Sequence, residues 1–489
     1  MRTHSLSTLA ALALAVTLAA CGGKPDPKNV ATVKGADGQN VEVGKEAQKN
    51  YEAALDAFIG HDKANDWNDA TCEAMAQQFL AANEQNKKDL GGKQLAPAVY
   101  NAGLAYQRCN KDDQAKKLFQ QAVEIDAKFH RAKVQVALYD FKAGGDGAAE
   151  QTIQNLQQAV LDAEFQNPEA LVNLAMLEMR RNSAQGWQGC QNDLECSKKN
   201  IQRALAVDDA YMPAFNQLAI YYLDRAREKA GRKTSKVVAG RKKEKKIDQQ
   251  QLELAALVCS QAIRKNPAYA PIRNTAGLIQ VELGNINDAV AQFKQAATID
   301  PGFFEALMNY AAVNLSFRGF KQSEEAYRQA LKLKPGDFDA MLGLALAIRG
   351  QINDSNWDAN VKEAQELLDK AKAAAPDRPE TYYNAGILTQ EFKVKSVSNE
   401  KEKVPILDAA QALYRDFIAK AGSTPEYADG VKRAQERIKD IEDIKRFIVE
   451  GIKAAEEAPP PMDTPGGLEG TKEGEGGDKP ADKPEEKKP

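Results

Sequence analysis

Apolar and small side chains recur along this chain at an interval of 34 residues, and their spacing within each interval predicts two α-helices. One unit has its small, aromatic and helix-ending residues at Gly277, Gly284, Ala289, Phe293, Ala296 and Pro301. The next unit, 304–337, has Ala311, Tyr327, Ala330 and Pro335 in the equivalent slots, with Ser323 where an alanine is usual. Two helix axes approach closely only where one presents a small side chain, so each unit is predicted to be an antiparallel helix pair.

One helix pair cannot cover its own apolar face, so neighbouring pairs must stack on one another. Weaker copies of the pattern begin at Ala96, His130, Pro168, Met212, Phe338 and Pro379. The sequence therefore predicts an all-α solenoid, a right-handed superhelix of about eight antiparallel helix pairs. This array spans 96–422, with insertions mostly at the turns inside the pairs.

The spacing of these slots resembles the tetratricopeptide repeat, and two consecutive units match it in register. The resemblance implies that positions 2, 5, 9 and 12 of the first helix in each pair face a concave groove. The candidate groove residues selected in this way are Tyr100, Gln107, Met176, Met179, Asn216, Asn274, Met308, Leu342, Arg349 and Tyr383. Such side chains suit an extended or helical peptide, and the alternative is that several of them only pack between neighbouring first helices.

The two ends of the array have different patterns. Residues 45–95 are predicted to form an additional helix pair, and 423–458 a long, charged helix that caps the last apolar face. The final segment, 459–489, has almost no large apolar residue and is predicted to be disordered, because it cannot offset the entropy cost of ordering.

The first residues carry a targeting signal. Residues 1–20 have a basic start and an apolar run too short to span a membrane, as in a secretory signal peptide. The run ends in Leu18-Ala19-Ala20-Cys21, which resembles the bacterial lipobox and implies a lipid on Cys21; the alternative is a plain signal peptide with an accidental cysteine. Residues 21–44 are predicted to be a flexible tether. Lipoprotein sorting rules and Gly22 favour the outer membrane, with the protein facing the periplasm.

Five further cysteines would then lie in a compartment where disulfides persist. Cys190 and Cys196 share one insertion and are one predicted pair, and Cys72 with Cys109 is the other, which would tie the N-terminal helix pair to the first repeat. Cys259 is predicted to be a small buried residue. A metal site at Cys190 and Cys196 would need further ligands that the neighbouring sequence lacks, so no metal is predicted.

Charge is balanced overall, with a formal net charge of −3, which argues against nucleic acid as a partner. Basic side chains are concentrated locally in an insertion at 225–246. This segment is interpreted either as a solvated helix extension or as a docking surface for acidic lipid headgroups or an acidic partner.

Candidate chemistry is sparse. The chain has three histidines and no HExxH, GxSxG, Walker or dinucleotide-binding motif, and its carboxylates fall at helical spacings typical of ion pairs. We therefore predict neither enzymatic activity nor a cofactor.

The whole chain, with its lipobox, tether, repeat array and Lys/Glu/Pro-rich tail, resembles the tetratricopeptide lipoproteins of the myxobacterial adventurous gliding motility machinery. This resemblance implies a scaffold in an envelope-spanning complex that binds envelope proteins. One alternative is a pilotin-like lipoprotein that assists assembly of a secretin or another outer-membrane complex. A cell-wall enzyme with a repeat appendage would need a separate catalytic domain, and no segment outside the repeats is long enough for one.

Overall fold

The computed structural model describes residues 30–34, 40–64, 66–229 and 247–457. Several predictions fall wholly or partly outside these ranges: the signal peptide, Cys21, residues 21–29 and 35–39 of the tether, residues 230–246 of the basic insertion and the tail at 459–489.

A β-hairpin occupies part of the predicted tether. Strand β1, Val30–Lys34, pairs antiparallel with β2, Asn40–Gly44. Val43 is buried against the first helices, and the Gly44 N–H donates to Asn86 Oδ1 at 2.9 Å. This part of 21–44 is therefore folded, which corrects the prediction of a flexible tether there.

The described chain divides into two compact units. Unit 1 ends at Pro376, and unit 2 begins at Asp377. The helices of unit 1 are α1 Lys45–Ala64, α2 Asp69–Asp89, α3 Ala96–Arg108, α4 Asp112–Ile125, α5 His130–Gly144, α6 Ala149–Asp162, α7 Pro168–Arg181, α8 Asp193–Val207, α9 Met212–Lys229, α10 Gln249–Lys265, α11 Ala270–Leu283, α12 Ile286–Ile299, α13 Phe304–Ser316, α14 Phe320–Leu333, α15 Phe338–Arg349 and α16 Trp357–Ala374. Those of unit 2 are α17 Glu380–Glu391, α18 Glu400–Ala421 and α19 Ala428–Glu457.

Unit 1 is a stack of antiparallel helix pairs. Each odd-numbered helix packs against the even-numbered helix that follows it, and we call these the A and B helices of a pair. A helices also contact the A helices of neighbouring pairs, from α5 to α7 and onward to α15. The A helices therefore form one continuous face of unit 1, which we call the A face.

Close approach within a pair depends on glycine opposite an aromatic ring. A Cβ added to Gly277 would lie 2.5 Å from the Phe293 ring, and one added to Gly103 would lie 2.7 Å from the Phe119 ring. Phe293 and Phe119 are both fully buried. Gly277, which the sequence pattern singles out, and Gly103 thus allow the ring of helix B to rest on the backbone of helix A.

A disulfide joins the N-terminal helix pair to the first repeat. Cys72 on α2 is bonded to Cys109 at the end of α3, with a Cα–Cα distance of 6.3 Å. This is the pairing expected from the sequence. Beside it, Arg108 forms an ion pair with Asp62 at 2.8 Å, so the same junction is held by a covalent and an ionic contact.

Unit 2 has its own apolar core, formed mainly by Tyr382, Leu407, Tyr414, Phe417 and Ile441. Its last helix, α19, occupies most of the segment predicted to be a capping helix. That helix is charged as expected, but its outer surface is not uniformly polar. Phe447 is 81% exposed.

Candidate protein-binding surface

Several predicted groove residues belong to the core or to contacts between helices. Tyr100 is fully buried and packs against Phe119 and Phe129, with ring centroids 5.3 Å away in each case. It does not line an open groove, because its ring turns into the helix pair. Asn216 and Asn274 are also largely buried.

The other predicted groove residues keep part of their surface exposed. They are Gln107, Met176, Met179, Met308, Leu342 and Arg349 in unit 1, and Tyr383 in unit 2. Tyr383 contacts the rings of Tyr414 and Phe417, with centroid distances of 5.8 and 5.0 Å. The six residues of unit 1 all lie on A helices and are the accessible part of the predicted set.

A row of polar side chains on the A face was missed by sequence reasoning. In six consecutive A helices the sixth residue is polar: Asn101, Gln135, Asn173, Gln217, Thr275 and Asn309. A polar residue at one fixed helix position in successive repeats was the available signal. We call this set the polar row.

Hydrogen bonds from the polar row connect successive A helices. Thr275 Oγ1 donates to Asn216 Oδ1 at 2.7 Å, and Asn309 Nδ2 donates to Asn274 Oδ1 at 2.9 Å. Gln217 Nε2 lies 3.0 Å from Met179 Sδ. The predicted asparagines therefore serve first as links between repeats, and half-buried Asn173 and Asn309 are the members nearest to solvent.

A line of polar and charged residues crosses three A helices, from the end of α3 through α5 to the start of α7. Gln107 Nε2 donates to Gln135 Oε1 at 3.0 Å, and Gln135 Nε2 donates to Glu169 Oε1 at 2.6 Å. Burial raises the pKa of Glu169 to about 7, although Arg131 and the Gln135 hydrogen bond act in the opposite direction. The carboxyl group of Glu169 therefore titrates near neutrality.

The insertion after α7 holds two cysteines that are not bonded to each other. Cys190 is half-buried and Cys196 is buried, both as free thiols. The predicted bridge is thus absent here, although the two thiols are neighbours, and burial together with Cys190 raises the pKa of Cys196 to about 12. The Trp187 N–H lies 3.1 Å from Cys196 Sγ, which fixes the loop around the thiol. Cys259 is buried and free, as expected for an apolar position.

The start of the basic insertion is engaged within the fold. Arg225 pairs with Glu228, and the buried Arg227 guanidinium pairs with Glu282 at 2.9 Å. Arg227 is therefore not available to an acidic partner, whereas Arg225 is 40% exposed and its pair lies on the surface of α9. The other basic residues of the insertion lie mostly in 230–246, outside the described ranges.

Metal-binding clusters and membrane-spanning helices are both absent from the part of the chain that the structure describes. No cluster of three or more His, Cys, Asp or Glu side chains there could hold a metal ion. None of its helices combines the length and apolar character needed to cross a membrane.

Two segments match the family model of the tetratricopeptide repeat, residues 96–129 and 270–303. The chain contains tetratricopeptide repeats. These segments are the α3–α4 and α11–α12 pairs with their following turns, and the pairs from α5–α6 to α15–α16 continue the same arrangement within unit 1.

Solved structures with similar tetratricopeptide repeat (TPR) folds cover about half of the chain. A thermophilic TPR protein of Thermus thermophilus is 22% identical, covers 45% of this chain and 99% of its own, with a TM-score of 0.35. YrrB, a TPR protein with an unusual peptide-binding site, is 15% identical, covers 47% and 97%, with a TM-score of 0.31. Pseudomonas aeruginosa pilF is 15% identical, covers 54% and 97%, with a TM-score of 0.38. No curated protein matches the chain.

Proposed function

We propose that this protein is a non-enzymatic scaffold that binds segments of partner proteins on the A face of its tetratricopeptide repeats. The observation that carries the proposal is the partly exposed set on the A helices: half-buried Asn173 and Asn309 of the polar row, with the half-buried methionines Met176, Met179 and Met308. An extended peptide needs donors and acceptors for its backbone, and amide side chains supply both.

The surroundings of the polar row suit a partner of varied sequence. Met176, Met179 and Met308 are half-buried on the same helices, and methionine adapts its shape to different apolar side chains. Hydrogen bonds between A helices hold Asn216, Asn274 and Asn309 in place, so little ordering is needed when a partner binds.

Site-specific photocrosslinking in the native cells tests where partners bind. A photoreactive amino acid is placed at Met176 or Met308 on the A face, and at exposed Gln202 or Gln329 on B helices as matched controls. We expect protein crosslinks from the two A-face positions and none from the controls. Crosslinks from the B helices alone would move the binding surface to the opposite side of the pairs.

We further propose that a lipid on Cys21 anchors the scaffold to the outer membrane, facing the periplasm. The support is the lipobox Leu18-Ala19-Ala20-Cys21 with Gly22 after it. Replacing Cys21 with Ser should abolish incorporation of a radiolabelled fatty acid and release the protein from the membrane fraction. A variant that still sediments with membranes would show that the lipid is not the anchor.

The finer assignment is a scaffold within an envelope-spanning gliding motility complex, and it rests on the likeness of the whole chain to gliding lipoproteins. Mass spectrometry of the A-face crosslinks tests it. Envelope proteins of the gliding machinery would support this role, and loss of gliding with intact secretins in a deletion strain would agree. Recovery of a secretin, together with missing secretin multimers in that strain, would replace it with the pilotin-like role.

A further inference from the structure

The insertion between α7 and α8, residues 182–192, is an ordered loop that folds back on itself. The Gly186 N–H donates to the carbonyl oxygen of Gln191 at 3.1 Å. A Cβ added to Gly186 would meet the carbonyl oxygen of Cys190 and would lie 2.7 Å from the nitrogen of Asn192. The two arms of the loop therefore touch, and this contact fixes the backbone at Cys190.

Trp187 brings the two cysteines of this region together. The Cys190 N–H donates to the carbonyl oxygen of Trp187 at 3.2 Å. The Cys196 thiol donates to the same oxygen, with its sulfur 3.3 Å away, and the Trp187 N–H lies 3.1 Å from that sulfur. The backbone nitrogen of Cys190 and the sulfur of Cys196 thus both lie within 3.3 Å of one atom, so the side chain of Cys190 can reach the Cys196 thiol.

The two thiols differ in exposure. Cys196 lies in the first turns of α8 and is fully buried, and burial together with a hydrogen bond to the Cys190 side chain raises its pKa to about 12. Cys190 is half-buried, and the two residues before it, Gln188 and Gly189, are exposed. A reagent in solution can therefore reach Cys190 directly, whereas Cys196 is reached only through Cys190.

We propose that Cys190 and Cys196 are a redox-active dithiol that exchanges with the disulfide of another molecule. The site lies at the turn inside the α7–α8 pair, so it does not depend on partner binding at the A face. A disulfide with one exposed sulfur stays open to attack by an external thiol, which makes the exchange reversible.

The reaction has two steps and conserves electrons. The Cys190 thiolate attacks one sulfur of the external disulfide, and a mixed disulfide forms as the first external thiolate leaves and takes up the proton that Cys190 lost. Cys196 then gives up its proton and attacks the Cys190 sulfur. The mixed disulfide breaks, the second external thiolate leaves with that proton, and the Cys190–Cys196 bond remains. Two protein thiols are oxidised, and one external disulfide is reduced to two thiols.

Peptide mass mapping of the full chain measures the state of this pair. Trypsin cleavage after Arg181 and Lys198 releases one peptide, 182–198, that contains Cys190, Cys196 and no other cysteine. The chain is reduced, freed of reductant and incubated with oxidised glutathione or with an oxidised thioredoxin-type protein. Remaining thiols are then blocked with N-ethylmaleimide. We expect an internal disulfide in this peptide, and its return to two blocked thiols when reduced glutathione is added before blocking. The faster of the two oxidants shows whether a small molecule or a protein is the better exchange partner.

Two variants separate the roles of the cysteines. Cys196→Ser should accumulate a glutathione mixed disulfide on Cys190, because the resolving thiol is missing. Cys190→Ser should leave Cys196 a free thiol, with glutathione incorporation at least about tenfold slower than in Cys196→Ser. Cys259, a buried free thiol on α10, is the internal control and should not react. An unchanged thermal midpoint of each variant checks that folding is intact.

Three outcomes would overturn the proposal. Two blocked thiols in 182–198 after both oxidants would show that the pair does not exchange. A glutathione adduct that persists on Cys190 in the natural sequence would show that Cys196 does not resolve it. A Cys190–Cys196 disulfide that excess reduced glutathione leaves intact would be a structural crosslink and not a reversible pair. None of these outcomes affects the crosslinks expected from the A face.

Discussion

At the scale of single residues, glycine decides how closely the two helices of a pair approach. The ring of Phe293 occupies the space where a Gly277 side chain would stand. Gly277→Ala should therefore destabilise the protein by about 1–3 kcal/mol, because either the ring or the backbone must move. The matched control is Gly336→Ala, where an added Cβ meets nothing within 4 Å. Thermal unfolding of both variants measures the effect, and equal midpoints would contradict the packing described here.

A buried carboxyl group in α7 should make stability depend on pH. Glu178 is fully buried, and burial raises its pKa to about 8, although Asn200 donates a hydrogen bond to it. In the unfolded chain the same group ionises near pH ~4.3. The neutral form is favoured by folding, so the contribution of Glu178 to stability is complete below about pH 4 and is lost as pH rises toward 8.

Glu178→Gln tests this dependence, because glutamine keeps the shape and can still accept from Asn200. We expect the variant to have a higher thermal midpoint than the natural sequence at pH 8, and a much smaller gain at pH 5. The comparison uses differential scanning calorimetry at both pH values. A gain of the same size at the two pH values would show that ionisation of Glu178 is not the cause.

Single residues were predicted correctly from the sequence at repeat positions where helix packing accepts only one kind of side chain. Gly277 was predicted as a point of close approach between the two helices, and the Phe293 ring lies against it. Tyr100 was predicted for the groove and is in the core, because the direction of a side chain at the edge of a helix face depends on the ring next to it, here Phe129. Periodicity alone does not contain that information.

At the scale of elements, the junction between α2 and α3 carries a covalent bond. Removing the Cys72–Cys109 disulfide should destabilise the N-terminal helix pair by roughly 3–4 kcal/mol, since the bond closes a loop of 37 residues in the unfolded chain. A reducing agent should lower the first thermal midpoint of the natural sequence and have no effect on the Cys72→Ser, Cys109→Ser double variant. Equal responses would assign the reductant's effect to another site.

The hairpin is the element that the sequence analysis missed. Val41 and Val43 alternate with polar residues, and Asp37-Gly38 lies between the two strands, which is a hairpin signal. Its composition is also typical of a linker, and each strand has only five residues. What decides between the two is a tertiary contact, burial of Val43 against α1 and α2, and no local pattern reports it.

At the scale of the whole molecule, each helix pair contacts mainly its neighbours in the chain. The free energy of unfolding of such a stack is a sum over the helix pairs and the contacts between neighbouring pairs. The effect of a substitution should therefore remain local. Gly277→Ala should increase hydrogen exchange in α11, α12 and the helices next to them, and leave exchange in α1 to α3 unchanged. A uniform increase along the chain would mean that unit 1 unfolds as one cooperative block.

The repeat architecture was predictable because the same spacing recurs in every unit, whereas the hydrogen bonds between repeats were not. The 34-residue interval predicted the helix pairs from two clear copies alone. Gln107, Gln135 and Glu169 lie in three successive repeats and are joined by hydrogen bonds of 3.0 and 2.6 Å. Their proximity follows from stacking, so only the folded chain reveals it.

The hairpin at the N-terminal end also limits the distance between Cys21 and the folded part of the chain. Cys21 and Val30 are nine residues apart, so an extended chain between them reaches about 30 Å, against about 80 Å if all of 21–44 were free. With a lipid on Cys21, the first helix pair would stay within that shorter radius of the bilayer. Partners that bind the first repeats would then have to approach the lipid headgroups. Later repeats would extend away from the bilayer by no more than the length of the stack.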